Sequence, residues 1–418
     1  MTILIKRVLT EFGIKDILIN GNKIAQIADK IDFDAVEIID GKNKAILPSF
    51  FNGHTHLAMT LFRSLADDMA LKPWLEEKIW PLEAKLTEED VYWGTKLACL
   101  ELIRSGTTMV IDMYHHFNGT ARAVDEMGLR GIIAPVQFDF FNESLKEKLK
   151  SDVVSLFEDS KKYSDRITFG LGPHAIYTVS EESLIWLKSF ADEHNLTLNI
   201  HLSETEDEFN NSLTLNGLTP TGYLDKIGFL GANVSVSHCV YLTDEDIEIL
   251  AKRSVKVMHI PISNLKLVSG EDFRFHDLHK AGVVIGLGTD GASSSNNLDI
   301  LDVVKMVSLK QKMRTSNPSF LPARESLSLV TDTTEVVIGM KIGKIEEGYL
   351  ADLCLVNLRI PEMMPNHNFV SNLVYSANGM AVDTVICDGK ILMRNRIIPG
   401  EDEILDKIPG VVKDWLSR

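Results

Sequence analysis

Ala45-Ile46-Leu47-Pro48-Ser49-Phe50-Phe51-Asn52-Gly53-His54-Thr55-His56 is an apolar run that ends in two histidines one residue apart. In an extended strand residues i and i+2 share a face, so the imidazoles of His54 and His56 point the same way. Two imidazoles aimed at one point are half of a metal site. A His-x-His pair also arises by chance on exposed strands, so the rest of the chain decides what this one means.

Seven further segments share the apolar texture: 107–112, 131–138, 167–171, 196–201, 234–238, 255–260 and 283–287. With 45–51 that makes eight strand candidates. Helical patterns such as 88–104, 181–194 and 244–252 separate them. Continuously apolar strands alternating with helices argue for parallel strands buried on both faces. Eight such units predict an α/β fold of the closed (β/α)8, or TIM, barrel type. An open doubly wound sheet is the alternative, but no Gly-x-Gly-x-x-Gly follows an early strand. Barrel chemistry sits at the carboxyl ends of the strands. His54 and His56 fall there after strand one and His174 after strand four. His201 ends strand five, His238 ends strand six, His259 lies on strand seven, and Asp290 follows strand eight. One histidine at a strand end is ordinarily a satisfied structural residue; a whole set on one rim is harder to explain that way.

The two ends of the chain read differently. Ile14–Ile19 and Lys23–Ile27 flank Asn20-Gly21-Asn22, a hairpin signal, and strands return at 351–356 and 382–387, with an Asp388-Gly389 turn before 391–393. Residues 1–48 plus 343–398 are therefore expected to form one small β-sandwich domain around the barrel, 49–342, with a C-terminal surface helix in 399–418. The 418 residues are ordinary in hydrophobic (45%) and charged (24%) content, and the formal charge is −16. That balance argues against nucleic acid or an anionic membrane as partner. Cys99, Cys239, Cys354 and Cys387 make no Cys-x-x-Cys and read as buried thiols of a reducing compartment. With no signal-peptide pattern or membrane-length apolar run, a cytoplasmic protein is expected.

Further motifs complete the pattern: Ala66-Asp67-Asp68, Trp80-Pro81-Leu82-Glu83, Ser105-Gly106-Thr107-Thr108, Gly172-Pro173-His174, His201-Leu202-Ser203-Glu204, Ser237-His238-Cys239, Ser263-Asn264-Leu265-Lys266-Leu267, Gly288-Thr289-Asp290-Gly291 and Gly343-Lys344-Ile345-Glu346-Glu347-Gly348. Together with Gly53-His54-Thr55-His56 they resemble the amidohydrolase superfamily, over almost the whole chain. Within it they look most like the branch of 5-methylthioadenosine/S-adenosylhomocysteine deaminases and chlorohydrolase-like enzymes. The resemblance implies one divalent metal ion held by His54, His56, His201 and Asp290, usually Zn2+ with Fe2+ as the alternative. Strand four ends in Leu171-Gly172-Pro173-His174 without the lysine of binuclear relatives, which favours a single ion. Such an ion brings the pKa of its water to about 7. The resemblance also implies Glu204 as general acid/base, His238 as the group polarising the attacking water, and Asp290 as a second proton acceptor. Glu206, Asp207 and Glu208 read as a solvated acidic face.

For substrate the resemblance implies Glu83 on ribose hydroxyls, His174 beside it, and Trp74 as a stacking wall, though core packing explains Trp74 equally well and Trp80 better. Two departures stand out. No arginine lies between Arg130 and Arg166, where relatives hold an amino-acid carboxylate; Lys146 and Lys148 are the replacements on offer, without the bidentate fork. Met258-His259-Ile260-Pro261 replaces a more polar segment and bears on the polarity of the pocket. The expected activity is hydrolytic deamination of an adenosine-like nucleoside (5-methylthioadenosine, S-adenosylhomocysteine, 5′-deoxyadenosine or adenosine) to its inosine analogue. The alternatives are deamination or dechlorination of guanine, a pterin, cytosine or a triazine, and a non-catalytic scaffold. The resemblance further implies a homo-oligomer, dimer or tetramer.

Overall fold

The computed structural model describes residues 1–270 and 273–418. The decisive stretch divides at Pro48. Lys44–Pro48 pairs antiparallel with Leu353–Asn357, and Phe50–Thr55 pairs parallel with Thr107–Tyr114. The single strand expected over 45–51 is therefore two. Pro48 has no N–H to continue a ladder. Beyond it the Ser49 N–H goes to the Asp352 carbonyl (3.0 Å) and the Phe50 N–H to the Gly106 carbonyl (2.9 Å), so the chain leaves one sheet for the other.

Phe50–Thr55 opens a ring of eight parallel strands. Thr107–Tyr114, Arg130–Gln137 and an interrupted fourth strand (Ile167–Phe169, Gly172–Pro173) complete one arc. Leu198–Leu202, Val234–His238, Lys256–His259 and Val284–Leu287 form the other. A Leu171–Leu198 bridge joins the arcs on one side. On the other the Asp290 N–H reaches the His54 carbonyl (3.0 Å), and the Asn52 amide bonds Thr289 on both its faces (2.7 and 3.0 Å). The result is the (β/α)8 barrel, with Phe51, Met109, Ile111, Ile132 and Met258 filling its interior. Close approach explains two glycines. A Cβ on Gly53 would meet the Met258 sulfur at 2.3 Å, and one on Gly288 would meet the His54 Cβ at 2.8 Å.

The terminal strands, expected as a β-sandwich, are joined in one hydrogen-bonded eight-stranded sheet. Thr2–Thr10 joins its halves. Its residues Ile3 to Lys6 pair with Glu37–Asp40, and Leu9, beyond a register break between Ile5 and Val8, pairs with Ala45 of Lys44–Pro48. Ile3, Ile17 and Ile24 from one half and Ile46, Leu353 and Ile386 from the other share a single apolar cluster, so the sheet folds over on itself. Buried Arg130, at the start of the third barrel strand, donates to Asp352 (2.7 Å) and Asp388 in this sheet.

The last helix, Glu401–Ser417, is more than a surface element. Ile404, Ile408, Val411 and Trp415 recur at helical spacing and pack inward. Trp415 packs at a tilt against Phe62 (ring centroids 4.5 Å apart) and donates to the Leu82 carbonyl (3.0 Å), which pins the segment 57–86 over the barrel rim. Among the described residues no helix is long and apolar enough to cross a membrane. All four cysteines are free and buried. Replacing Arg130 with Met leaves Asp352 as an uncompensated buried charge, and a loss of about 3–5 kcal/mol is expected. Urea unfolding would measure it; a loss below about 1 kcal/mol, the range of an exposed pair, would contradict a structural role for this contact.

Candidate active site

The rim at the carboxyl ends of the strands gathers the residues singled out from sequence. Their backbones are locally unusual. Ser203 (φ 51°), His238 (φ 75°) and Asp290 (φ 66°) all sit in the left-handed region, which non-glycine residues adopt at a cost of about 1–3 kcal/mol. Hydrogen bonds at strand ends hold them there.

The His54 and His56 rings lie 4.8 Å apart, and those of His54 and His201 lie 4.9 Å apart. Each ring is anchored through Nδ1: His54 at 3.3 Å from the Asn199 amide, His56 at the Met113 carbonyl, His201 at 3.0 Å from the His174 carbonyl. Nε2 of His54 is buried without a partner, and Nε2 of His56 is 3.1 Å from Asp290 Oδ1. The other Asp290 oxygen accepts from Ser263 (2.6 Å) and Ser294 (3.0 Å). Ligand atoms of His54, His56 and Asp290 all lie within 4.8 Å of one another, as do those of His54, His201 and His238. Imidazoles anchored at Nδ1 around a hydrogen-bonded carboxylate are the donor set of a zinc-type site. The orphaned Nε2 of His54 is the atom such an ion would satisfy.

Burial tunes these groups. It pushes His54 and His201 well below the usual histidine range, so both are neutral, and neighbouring imidazoles add to the effect. His238 is lowered to about 4, chiefly by burial. Burial would also lower His56, but Asp290 overrides it and raises His56 to about 9. Asp290 is in turn held well below its ordinary value: burial opposes ionisation, and the facing imidazoles outweigh it. Glu204, buried 3.7 Å from His238, is raised to about 8 by desolvation and then by Asp290.

A cavity of about 650 Å³, mouth included, opens over this cluster. Glu204, His238, Asp290, His56 and His201 form its floor, while Trp74, Glu83 and His174 lie on its walls. Trp74 is buried with its indole N–H unpaired. The wall helix is wound as a π-helix over Trp74–Ile79, a form often found at functional sites. His174 is pushed down to about 3 by burial, with His56 and His115 adding to the shift. Burial raises the Glu83 carboxyl.

Some sequence readings change. Lys146 pairs with Glu143 and Glu182, Lys148 pairs with Asp152, and neither lines the cavity. Met258 fills the barrel interior, and His259 stacks on Phe273 (3.8 Å); neither is in the cavity wall. Trp80 does line it. Glu206 and Asp207 are exposed as expected, but Glu208 is buried. Tyr114 and His115 also line the cavity, with His115 3.9 Å from Glu83. Their place at the carboxyl end of the second barrel strand was the signal that could have found them.

The model of the Amidohydrolase family matches residues 45–392. The chain belongs to the amidohydrolase family. It is 44% identical over 418 residues to the 5-methylthioadenosine/S-adenosylhomocysteine deaminase 1 of Archaeoglobus fulgidus, covering 98% of each chain. It is 44% identical over 405 residues to the 5′-deoxyadenosine deaminase of Methanocaldococcus jannaschii, covering 96% of each. The crystal structure of an adenosine deaminase from Xanthomonas campestris with bound zinc superposes with a TM-score of 0.93 at 28% identity, covering 100% of this chain and 98% of that one. The amidohydrolase family is metal-dependent, in keeping with the His-His-Asp cluster.

Ser263→Ala removes the 2.6 Å hydrogen bond that orients Asp290. Zinc affinity is expected to fall about 10–100-fold, the usual effect of losing an outer hydrogen bond. A chelator competition titration would show it; unchanged affinity would mean that Asp290 takes no part in holding the ion.

Proposed function

We propose that this amidohydrolase deaminates an adenosine-like nucleoside to its inosine analogue, using a single divalent ion, zinc in the first instance, held by His54, His56, His201 and Asp290. One observation carries the reading. A buried carboxyl, Glu204, stands beside an imidazole and carboxylate cluster at the floor of one cavity whose wall presents a second carboxyl, Glu83. The near full-length likeness to nucleoside deaminases supports it.

A bound ion would supply positive charge that lowers the pKa of a water at the site to about 7. The chain's own groups do the rest. Burial raises the Glu204 carboxyl well above the ordinary range, which suits a group that must both accept and donate a proton. It takes a proton from the attacking water and delivers it to the ring nitrogen beside the amino-bearing carbon. An oxygen–carbon bond forms there. His238, neutral and facing Glu204, orients the water. Asp290 accepts the second proton as the tetrahedral adduct collapses. The carbon–nitrogen bond breaks, the relayed proton goes to the leaving nitrogen, and ammonia departs. Glu83 accepts the vicinal ribose hydroxyls as a charged pair of hydrogen bonds. His174 stands beside the sugar, and Trp74 walls the base.

Among the described residues no lysine or arginine lines the cavity. Phe138 lines it, tilted against His174 (4.8 Å) and stacked on Phe140 (5.2 Å). An amino-acid carboxylate entering there would lose water without gaining a cation. This favours an apolar 5′ end, as in 5′-deoxyadenosine or 5-methylthioadenosine, over S-adenosylhomocysteine. Assembly into a dimer or tetramer and a reducing, cytoplasmic setting belong to the same reading; the four buried free thiols support the latter.

Ammonia release from a substrate panel tests the proposal. Conversion of 5′-deoxyadenosine and 5-methylthioadenosine is expected, with kcat/KM for S-adenosylhomocysteine at least about tenfold lower, or ~1.4 kcal/mol. Turnover of free bases alone would overturn the nucleoside reading. Glu204→Gln is expected to lose about 10²–10⁴-fold in kcat at equal zinc content; full activity would remove Glu204 from the chemistry.

A further inference from the structure

Glu208 is a buried carboxyl that the reaction above leaves without a task. It is the third residue of the helix Glu206–Asn216, whose N-cap is Thr205. A carboxylate at this position commonly reaches back to the N-cap amide. Glu208 reaches further. Its Oε1 accepts from the Ser203 N–H (3.0 Å) and its Oε2 from the Glu204 N–H (2.9 Å). Its own N–H is held by the Thr205 hydroxyl (3.1 Å). Both carboxylate oxygens are thus spent on consecutive amides of the turn that aims Glu204 into the cavity.

That turn needs holding, because Ser203 lies in the left-handed region (φ 51°) without being glycine. Its peptide is gripped from both sides. The Ser203 carbonyl accepts from the Val240 and Tyr241 N–H groups (3.0 Å each), so the loop after strand five is tied to the loop that follows His238. Burial raises the Glu208 carboxyl to about 7, while the two amides pull it back down. A buried carboxyl facing two amides has no simpler apolar equivalent, since any shorter or neutral side chain strands at least one N–H.

We infer that Glu208 is a positioning residue for Glu204: its carboxylate fixes the Ser203-Glu204 turn by accepting both backbone N–H groups, and so sets where the proton-carrying side chain stands. This rests on the proposed role of Glu204. In Glu208→Gln the amide nitrogen faces one of the two backbone N–H groups, donor against donor, and one hydrogen bond is lost.

The test is a double-mutant cycle on zinc-loaded protein with a nucleoside substrate. Glu208→Gln alone is expected to lower kcat about ten- to hundredfold, with KM and zinc content little changed, as for a misplaced catalytic group. In the Glu204→Gln background the same substitution is expected to lower kcat no further. A wild-type kcat in Glu208→Gln, or the same fractional loss in both backgrounds, would overturn the positioning role and leave the deaminase reading standing. Full activity in Glu204→Gln would sink both together. Amide hydrogen exchange of the zinc-loaded wild-type protein needs no variant. The Ser203 and Glu204 amides are expected to exchange as slowly as those of the Leu198–Leu202 strand, and exchange at open-loop rates would overturn the clamp.

Discussion

Everything at the rim depends on taking several imidazoles and a carboxylate out of water around one point. Desolvation keeps His54 and His201 neutral, and the facing imidazoles keep Asp290 charged. Such a cluster is electrostatically incomplete. His56 carries the proton that partly balances Asp290, and the buried Nε2 of His54, 3.8 Å from Asp290 Oδ1, has no hydrogen-bond partner. A divalent cation resolves both conditions at once. Groups that must wait in this arrangement cannot be left to find their own rotamers, and the hydrogen bonds behind the cluster prevent that. Met113, His174 and Asn199 hold rings, and Ser263 and Ser294 hold the carboxylate.

The rest of the fold serves that arrangement at a distance. Parallel strands deliver the side chains to one rim. Gly53 and Gly288 let the first and last strands approach closely enough for the Asp290 backbone to bond the His54 carbonyl. Far from the chemistry in sequence, Trp415 reaches the segment that carries Trp74 and Glu83, so the chain's last helix is part of the cavity's support. The terminal sheet is joined to the barrel through Pro48 and the Arg130–Asp352 pair.

Much of this was legible in the sequence, for a physical reason. Period-two geometry placed His54 and His56 on one face, and the barrel rule placed His201, His238 and Asp290 on the same rim. What escaped was set by tertiary contacts. The apolar run through Pro48 looks continuous because both sheets bury it. Ile404, Ile408, Val411 and Trp415 carried the stripe of a packed helix, but nothing local named its partner. Glu208 sits in an acidic run that reads as solvated. Only the left-handed turn at Ser203 brings two amides within its reach. Lys146 and Lys148 looked available as carboxylate binders until Glu143, Glu182 and Asp152 were seen to occupy them.

The most direct measurement is a crystal structure of the zinc-loaded protein with anomalous scattering recorded at the zinc edge. A single peak is expected, with His54, His56 and His201 nitrogens and an Asp290 oxygen about 2.0–2.2 Å away. A peak elsewhere in the molecule, or an ion at the rim that leaves any of these four side chains beyond bonding distance, would contradict the account.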